Sequence, residues 1–436
     1  MLTCLLTNPV VNHNLLARYL ISRGVECHAY IDMEQVTKLP ATVKSRGRDF
    51  ESDLFSEIYV HRDELPNPKT RPFQAVIPGG ELGVECAENI SAYYGLAGND
   101  PTTVDFRRNK EAMQKCLAEA GLPHIRSAGI NHGTDLVQIR GEIGEGPYIL
   151  KPCDAAGGES LHYCPDFAAL EAAVAAIEWG ALNCTWKPNE RYLVQEYVSG
   201  SEFVVDLVAR NGEAVVAAIT RYIRLSDLGS WSYPYLKRFM IMEDPTSSKF
   251  APLIHLALEC AKALGIRQGA AHMEFIDGPK GKFMVEIGAR LHGSLAPKLF
   301  AQCYDNDLLT SLYDSYFDHS RKLKPGRLSR HGLQSFIIAE QGGILGEFDP
   351  SEEDRIKTSA SFIDSSITFL AGEQFPPTID AVNMPACGFF ANENQARLLE
   401  DVWDFDRIFN RHFNGKPYTI GDLVAWLAPL DSPSTP

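Results

Sequence analysis

The chain has 436 residues, with 41 Lys and Arg against 56 Asp and Glu, a formal net charge of −15 that argues against an electrostatic binder of nucleic acid or anionic membranes. Hydrophobic residues make up 45% and charged residues 22%, an ordinary globular balance. At about 150 residues per domain the length suggests roughly three domains. No stretch reaches the ~18 uninterrupted apolar residues of a spanning helix, since even the Ala-rich run after Phe167 carries Glu171 and Glu178. The start, MLTCLLTNPVVNHNLLARYL, lacks the basic segment and small-residue cleavage site of a secretory leader and reads as a strand followed by a helix. The ten cysteines, Cys4, Cys27, Cys86, Cys116, Cys153, Cys164, Cys184, Cys260, Cys303 and Cys387, contain no CxxC pair and no His-rich partner spacing. Reduced thiols in a cytoplasm are expected, not disulfides or a zinc site.

The first hundred residues alternate strand-like and helix-like patterns: LTCLL, a helix from Asn14 to Ser22, VECHAYI, SEIYV, and AVIPGG followed by an amphipathic Leu82 to Tyr94. This predicts a parallel sheet with flanking helices, Rossmann-like in shape but without a GxGxxG after any strand. NKEAMQKCLAEAGLP then predicts a helix from Asn109 to Ala120, stopped by Gly121 and Pro123. EFVVDLVARNGEAVVAAI reads as an antiparallel hairpin about Asn211-Gly212. A helix from Phe250 to Leu264 ends at Gly265, and GAAHMEFIDGPKGKFMVEIGAR forms a second hairpin about Asp277 to Gly281. After Tyr316 the pattern weakens: KLKPGRLSR is loop-like, LQSFIIAE, SSITFL and GFFAN are short strands, and a helix is expected near Glu393 to Leu399. This part is a third domain or a cap on the second, and the tail SPSTP is expected to be disordered.

The second hairpin carries the most chemistry. Side chains alternate faces along a strand, so His272, Glu274 and Ile276 share one face, and Glu286, Gly288 and Arg290 share one face of the return strand. A turn centred at Pro279 or Lys280 puts both sets on the same side, with the carboxylates roughly 5 to 8 Å apart, a destabilising like-charge pair unless neutralised. A divalent cation would neutralise it, and Mg²⁺, which favours few carboxylates plus phosphate oxygens, suits a nucleotide site. Two solvated carboxylates on an exposed face would explain the same letters. Arg290 offers a planar donor fork for phosphate or an oxyanion, or else simply pairs with Glu286 or Glu274. His272 and His292 are candidate substrate groups or structural histidines.

Lys151 ends an apolar strand directly before the small-residue loop Ala155 to Ser160, whose Gly157 and Gly158 can present amides to phosphate. A plain hairpin turn accounts for the loop too, and it does not match GxxxxGK[ST]. Lys110, at a helix start, opposes the helix dipole, which a ligand phosphate would relieve. In YLVQEYVSGSEF, Glu202 could accept from a ribose hydroxyl, and the backbone at Glu196 and Val198 could serve an adenine. No GxSxG or other nucleophile constellation is present.

The order of these pieces, from the lysine at a helix start through the strand, lysine and Gly-rich loop to the Glu/Glu hairpin ending in Arg, resembles the ATP-grasp superfamily. VIPGGELGVECAENISAYYGLAGND and RRNKEAMQKCLAEAGLP look most like the branch holding bacterial L-amino acid ligases of the bacilysin dipeptide-synthase type and carnosine synthase, over Ala75 to Leu309. The resemblance implies an α/β and α+β multidomain chain: a Rossmann-like N-terminal domain at 1–105, a two-lobed nucleotide clamp at 106–318 and a C-terminal α+β subdomain at 319–436. It implies ATP contacts from Lys110, Lys151, Gly157, Gly158, Glu196, Val198 and Glu202, Mg²⁺ (with Mn²⁺ as the alternative) at Glu274 and Glu286, and Arg290 as the catalytic arginine. Many members carry Glu-x-Asn at the second metal position, where this chain has Gly288. The implied reaction joins a small-molecule carboxylate to an amine through an acyl phosphate, in dipeptide synthesis for example. Carboxylation or ligation of another acceptor, and a non-catalytic ATP-binding protein, are the alternatives. A homodimer is a common expectation for such enzymes; nucleic-acid and membrane partners are not expected.

Overall fold

The computed structural model describes residues 2–10, 14–33, 50–185 and 187–427; the tail SPSTP lies outside them. Leu2–Thr7 runs parallel between Val25–Tyr30 and Ala75–Pro78, with Ile58–Tyr59 at the edge. Leu5, Leu6, Ala29, Val76 and Ile77 are buried, as strands covered on both faces require. SEIYV contributes only two residues to this sheet because the turns Ser52–Leu54 and Arg62–Glu64 bracket it. The ten cysteines are free thiols. Among the described residues no helix is long and apolar enough to cross a membrane.

Buried charge ties this first sheet to the rest of the chain. Arg107, fully buried, donates to both carboxylate oxygens of Glu88 at 2.8 and 2.7 Å and to the carbonyls of Leu264 and Asp100 at 2.7 and 2.8 Å. Removing one partner strands the other charge, so Glu88→Gln is expected to lower stability by about 3–5 kcal/mol. Chemical denaturation measures this, and a loss below about 1 kcal/mol would contradict it.

Residues 127–196 hold a small antiparallel sheet in the order Ser127–Ile130, Tyr192–Glu196, Tyr148–Pro152, His162–Cys164. Helices Leu136–Ile143 and Phe167–Ala175 bury Ile139, Ile143 and Leu170 against Ile130, Tyr148 and Leu150. The Ala155–Ser160 stretch is the loop between two paired strands.

The second sheet has eight strands, in the order Gly281–Gly288, Gly269–Gly278, Ser201–Arg210, Glu213–Arg224, Lys237–Glu243, His331–Ile337, Ala386–Asn392, Phe362–Ile367. Asn211 and Gly212 take φ of 54° and 85°, the left-handed pair that a two-residue hairpin demands. The two hairpins are therefore neighbours in one sheet, and the strands after residue 330 extend it. The expected short helix near Glu393 to Leu399 is instead Gln395–His412, 18 residues long. Acidic letters in EDVWDFD mask its apolar stripe: Asp406 is buried, held by Arg238 at 2.6 Å and by Ser335, so it belongs to the packed face with Val402, Phe405 and Phe409.

Candidate active site

A cavity of about 610 Å³ opens between the small sheet and the large one, and Lys110, Lys151, Gly157, Gly158, Glu196, Val198, Glu202, His272, Glu274, Glu286, Arg290 and His292 all line it. Glu274 lies directly opposite Glu286 in the ladder. The route to that pairing differs from the expected one. The turn is the two residues Pro279-Lys280 between the paired Gly278 and Gly281, and the ladder first pairs Asp277 with Lys282, Ile276 with Phe283 and Phe275 with Met284. Continued unbroken, it would set Val285 against Glu274 and turn Glu286 to the other face. A one-residue bulge at Val285 shifts the register and aims both carboxylates into the cavity.

Each carboxylate has a lysine beside it. Lys237 Nζ sits 2.9 Å from Glu274, 3.1 Å from Glu202 and 4.3 Å from the Tyr222 ring centre, while Lys110 Nζ lies 3.3 Å from Glu286 and donates to the Ala155 carbonyl at 2.6 Å. Burial alone would lower the Lys237 ammonium, but Glu202 and Glu274 outweigh it and raise it well above the ordinary lysine value. Burial likewise opposes ionised Glu274, yet Lys237 and His272 hold it well below the usual carboxylate range. Glu202 goes the other way: burial and the nearby Glu274 raise it despite Lys237 and Arg224. Lys237 lies in the aromatic insertion GSWSYPYLKRF, where nothing local marks it; only the approach of Lys237–Glu243 to the hairpin's face gives it a role.

Lys151 is buried, and among the described residues no hydrogen bond or ion pair holds its ammonium. Burial lowers it to about 8. Next to it, Gly157 and Gly158 take φ of 70° and 72°, conformations that side chains disfavour. The loop is anchored by the Ala381 amide, which donates to the Gly157 carbonyl at 2.9 Å, and by the Cys184 amide on Glu159 at 2.6 Å. At the hinge between the sheets, the amides of Glu196 and Tyr197 donate to Arg126 and Pro147 carbonyls, whereas the Val198 amide has no backbone acceptor among the described residues. Arg126 at 2.7 Å, outweighing burial, lowers the Glu196 carboxyl.

Arg290 pairs with neither hairpin carboxylate. Its Nε donates to Glu81 at 2.6 Å and its Nη1 to the Leu291 carbonyl at 2.8 Å. Arg108 holds the other Glu81 oxygen and reaches Asp154 at 2.8 Å. Burial would raise Glu81, but Arg290 and Arg108 outweigh it and hold it at about 2. Gly288 leaves this pair its space: a Cβ there would stand 3.1 Å from Glu81 Oε2 and 3.2 Å from Arg290 Cζ. A side chain at 288 would crowd the pair, which would have to give by a few tenths of an ångström. Glu81 comes from the first sheet's last turn, and its spacing from Arg290 carries no local signal.

His272 and His292 share one partner. Their Nδ1 atoms lie 3.1 and 2.9 Å from the two oxygens of Asp206, which is fully buried. Burial would raise Asp206, yet the histidines hold it well below the usual range. Burial lowers His292 to about 4; it would lower His272 too, but Asp206 outweighs it and raises that ring. His272 Nε2 is 3.5 Å from Glu274, so Asp206 and His272 orient that carboxylate.

Residues 145–298 match the sequence profile of the ATP-grasp domain. The chain is 24% identical to dapdiamide A synthase of Enterobacter agglomerans over 76% of this chain and 77% of that one. Other curated relatives are matched over about half of their own length or less. The L-amino acid ligase of Bacillus licheniformis superposes with a TM-score of 0.70 at 15% identity, covering 94% of this chain and 98% of that one. N5-carboxyaminoimidazole synthetase of Staphylococcus aureus complexed with ADP superposes with a TM-score of 0.65 at 10% identity, covering 92% and 96%. The chain has the ATP-grasp fold and carries an ATP-grasp domain at residues 145–298.

Proposed function

We propose that this chain is a cytoplasmic ATP-dependent carboxylate–amine ligase. The γ-phosphoryl group of ATP passes to a substrate carboxylate, and the amine of a second substrate then displaces phosphate to form an amide, leaving ADP and phosphate. The observation that carries this reading is the opposed Glu274 and Glu286 facing a cavity that also holds Lys110, Lys151 and Arg290. Phosphoryl transfer asks a protein for positioning and charge neutralisation and needs no protein nucleophile. The names of the dapdiamide synthase and the amino acid ligase among the relatives support the same chemistry.

In this reading residues 1–105 face the substrates, 106–318 form the nucleotide clamp and 319–436 wall the cavity. The Val198 amide and the Glu196 carbonyl meet the adenine, Glu202 the ribose, and Gly157, Gly158, Lys110 and Lys151 the phosphates. The paired carboxylates fit a hard divalent cation: Glu274 and Glu286 would hold Mg²⁺, or Mn²⁺, which when bound supplies charge neutralisation beside the phosphates. Lys237 and Lys110, which now neutralise those carboxylates, are the cations available to phosphate and to the reacting carboxylate. Arg290 would stabilise the charge that develops on that group.

Phosphate release from Mg·ATP with pooled amino acids and small carboxylic acids, with mass spectrometry of the products, tests the reading. A new mass equal to two substrates less water is the expected result. Phosphate release without a condensed product would point to another acceptor, and none with any pool would count against a ligase.

Lys151 gives a second test. Its native value of about 8 lies below the unfolded lysine value, so its charged form is lost as pH rises through 8, and phosphate favours that form. ATP affinity is therefore expected to weaken above pH 8, by at most about tenfold per pH unit. Lys151→Ala should bind ATP more weakly and lose this slope. Isothermal titration of both proteins from pH 7 to 9.5 measures it, and an unchanged affinity in the variant would remove Lys151 from the site.

A further inference from the structure

The cavity has two unlike walls. Its charged lining residues all lie at or before His292, whereas every lining residue from Gln334 onward is uncharged. That second wall includes Phe336, Ile367, Thr368, Leu370 and Met384, continued by Leu236 of the aromatic insertion. Two of its large apolar side chains are left open, Leu370 at 57% and Ile367 at 40% exposed. Scattered exposed leucines need no explanation, but these two stand on the wall of the site cavity.

The wall is also close to the proposed chemistry. Ala381, on the same C-terminal stretch, holds the Gly157 carbonyl, two residues from Ala155, whose carbonyl accepts from Lys110 beside Glu286. The sheet floor is continuous beneath it: Ile276, Glu202, Tyr222, Met240 and Gln334 lie opposite one another from strand to strand. A ligand that presents a charged reacting group to Arg290 and the lysines can therefore rest its remainder on an uncharged surface.

We propose that this wall receives a bulky apolar group, an aliphatic or aromatic side chain, on one of the two substrates, so that the enzyme selects at least one large hydrophobic amino or carboxylic acid. The proposal rests on the ligase reading above. An acidic or basic side chain would lose its hydration here without gaining a charged partner, since Gln334, Ser366 and Thr368 are the polar side chains of this wall, and a small one would leave the apolar surface wet.

The test is a competition of Phe, Leu and Met against Gly, Ser, Glu and Lys, each with a pooled second substrate and Mg·ATP, read as condensed products by mass spectrometry. Products containing the large apolar acids should exceed the others by at least about tenfold, within the range set by a few methylenes. Leu370→Asp should lower kcat/KM for those acids by about tenfold or more with the KM for ATP unchanged, and Leu370→Met should restore it. A preference for small or charged acids, or unaltered selectivity in Leu370→Asp, overturns the proposal. So does a variant that changes sedimentation but not selectivity, which would make the patch a contact between copies. If no pair is condensed, the ligase reading fails separately. Equilibrium dialysis of labelled Phe and Glu with the Mg·ADP-loaded protein then decides: Phe binding lost in Leu370→Asp supports the wall, and absent Phe binding overturns it.

Discussion

Glu286→Gln is expected to lower amine-dependent phosphate release from Mg·ATP by about 10³-fold or more while leaving thermal unfolding in place. The size follows from charge: a unit charge about 4 Å from a cation at an effective dielectric near 20 is worth about 4 kcal/mol, or about three decades in rate. The fold should survive because Glu286 is partly exposed, and Lys110, its neighbour, keeps its bond to the Ala155 carbonyl. Glu274→Gln should be as inactive and less stable, since it leaves Lys237 with Glu202 as its one carboxylate and takes the charge from the second partner of His272. Mn²⁺ binding followed by electron paramagnetic resonance, in the presence of ADP, should weaken in both variants. A Glu286→Gln enzyme turning over at near the native rate would end the metal assignment.

Arg290→Ala is expected to reduce kcat by about 10²- to 10³-fold with the KM for ATP little changed, the loss typical of one preorganised donor facing developing charge. Two of its nitrogens are committed, Nε to Glu81 and Nη1 to the Leu291 carbonyl, and among the described residues no acceptor holds Nη2. Lysine cannot keep Glu81 and present a further donor from one planar fork, so Arg290→Lys should not rescue. Glu81→Gln separates aim from charge: Arg290 stays, but its anchor weakens because one amide oxygen must serve both Arg290 and Arg108, and an intermediate loss in kcat is expected. Steady-state kinetics of the three variants, with varied ATP and varied amine, measures this. If Arg290→Ala raises only the KM for ATP, Arg290 belongs to nucleotide binding instead. Glu81 also predicts acid sensitivity. Its native value of about 2 lies below the unfolded carboxylate, so its stabilisation is complete above about pH 4.5 and is lost as pH falls toward 2.

Much of the candidate site was legible because its residues announce themselves over short spans. Strand alternation put Glu274 with His272 and Glu286 with Arg290, and a lysine before a glycine pair marked the Lys151 loop. The turn is centred between Pro279 and Lys280, not on either, and the Val285 bulge restores the facing, a feature that the letters KFMVEIG do not reveal. The partners were the harder part. Glu81, Asp206 and Lys237 lie 209, 66 and 37 residues from the Arg290, His272 and Glu274 they hold. No local pattern links groups that far apart.

Glycine at 288 illustrates the same division. As a letter it is a departure from the Glu-x-Asn pattern; in three dimensions it is the residue against which the Arg290–Glu81 pair packs closely. The C-terminal region read as a weak series of strands because its apolar residues meet across distant strands, the helix Gln395–His412 and Phe239 in one cluster that no short stretch displays.

By itself the sequence determined the periodic elements, the hairpin turns, the small-residue loop after Lys151 and the residue types able to meet phosphate and a divalent cation. These follow from local backbone sterics and side-chain chemistry, which act over a few residues. Only the tertiary structure decided which charges neutralise which, that the last strands continue the large sheet, and that one wall of the cavity is free of charge. Those depend on burial and on contacts between distant segments, where a low dielectric and exact distances, not spacing along the chain, set the energies.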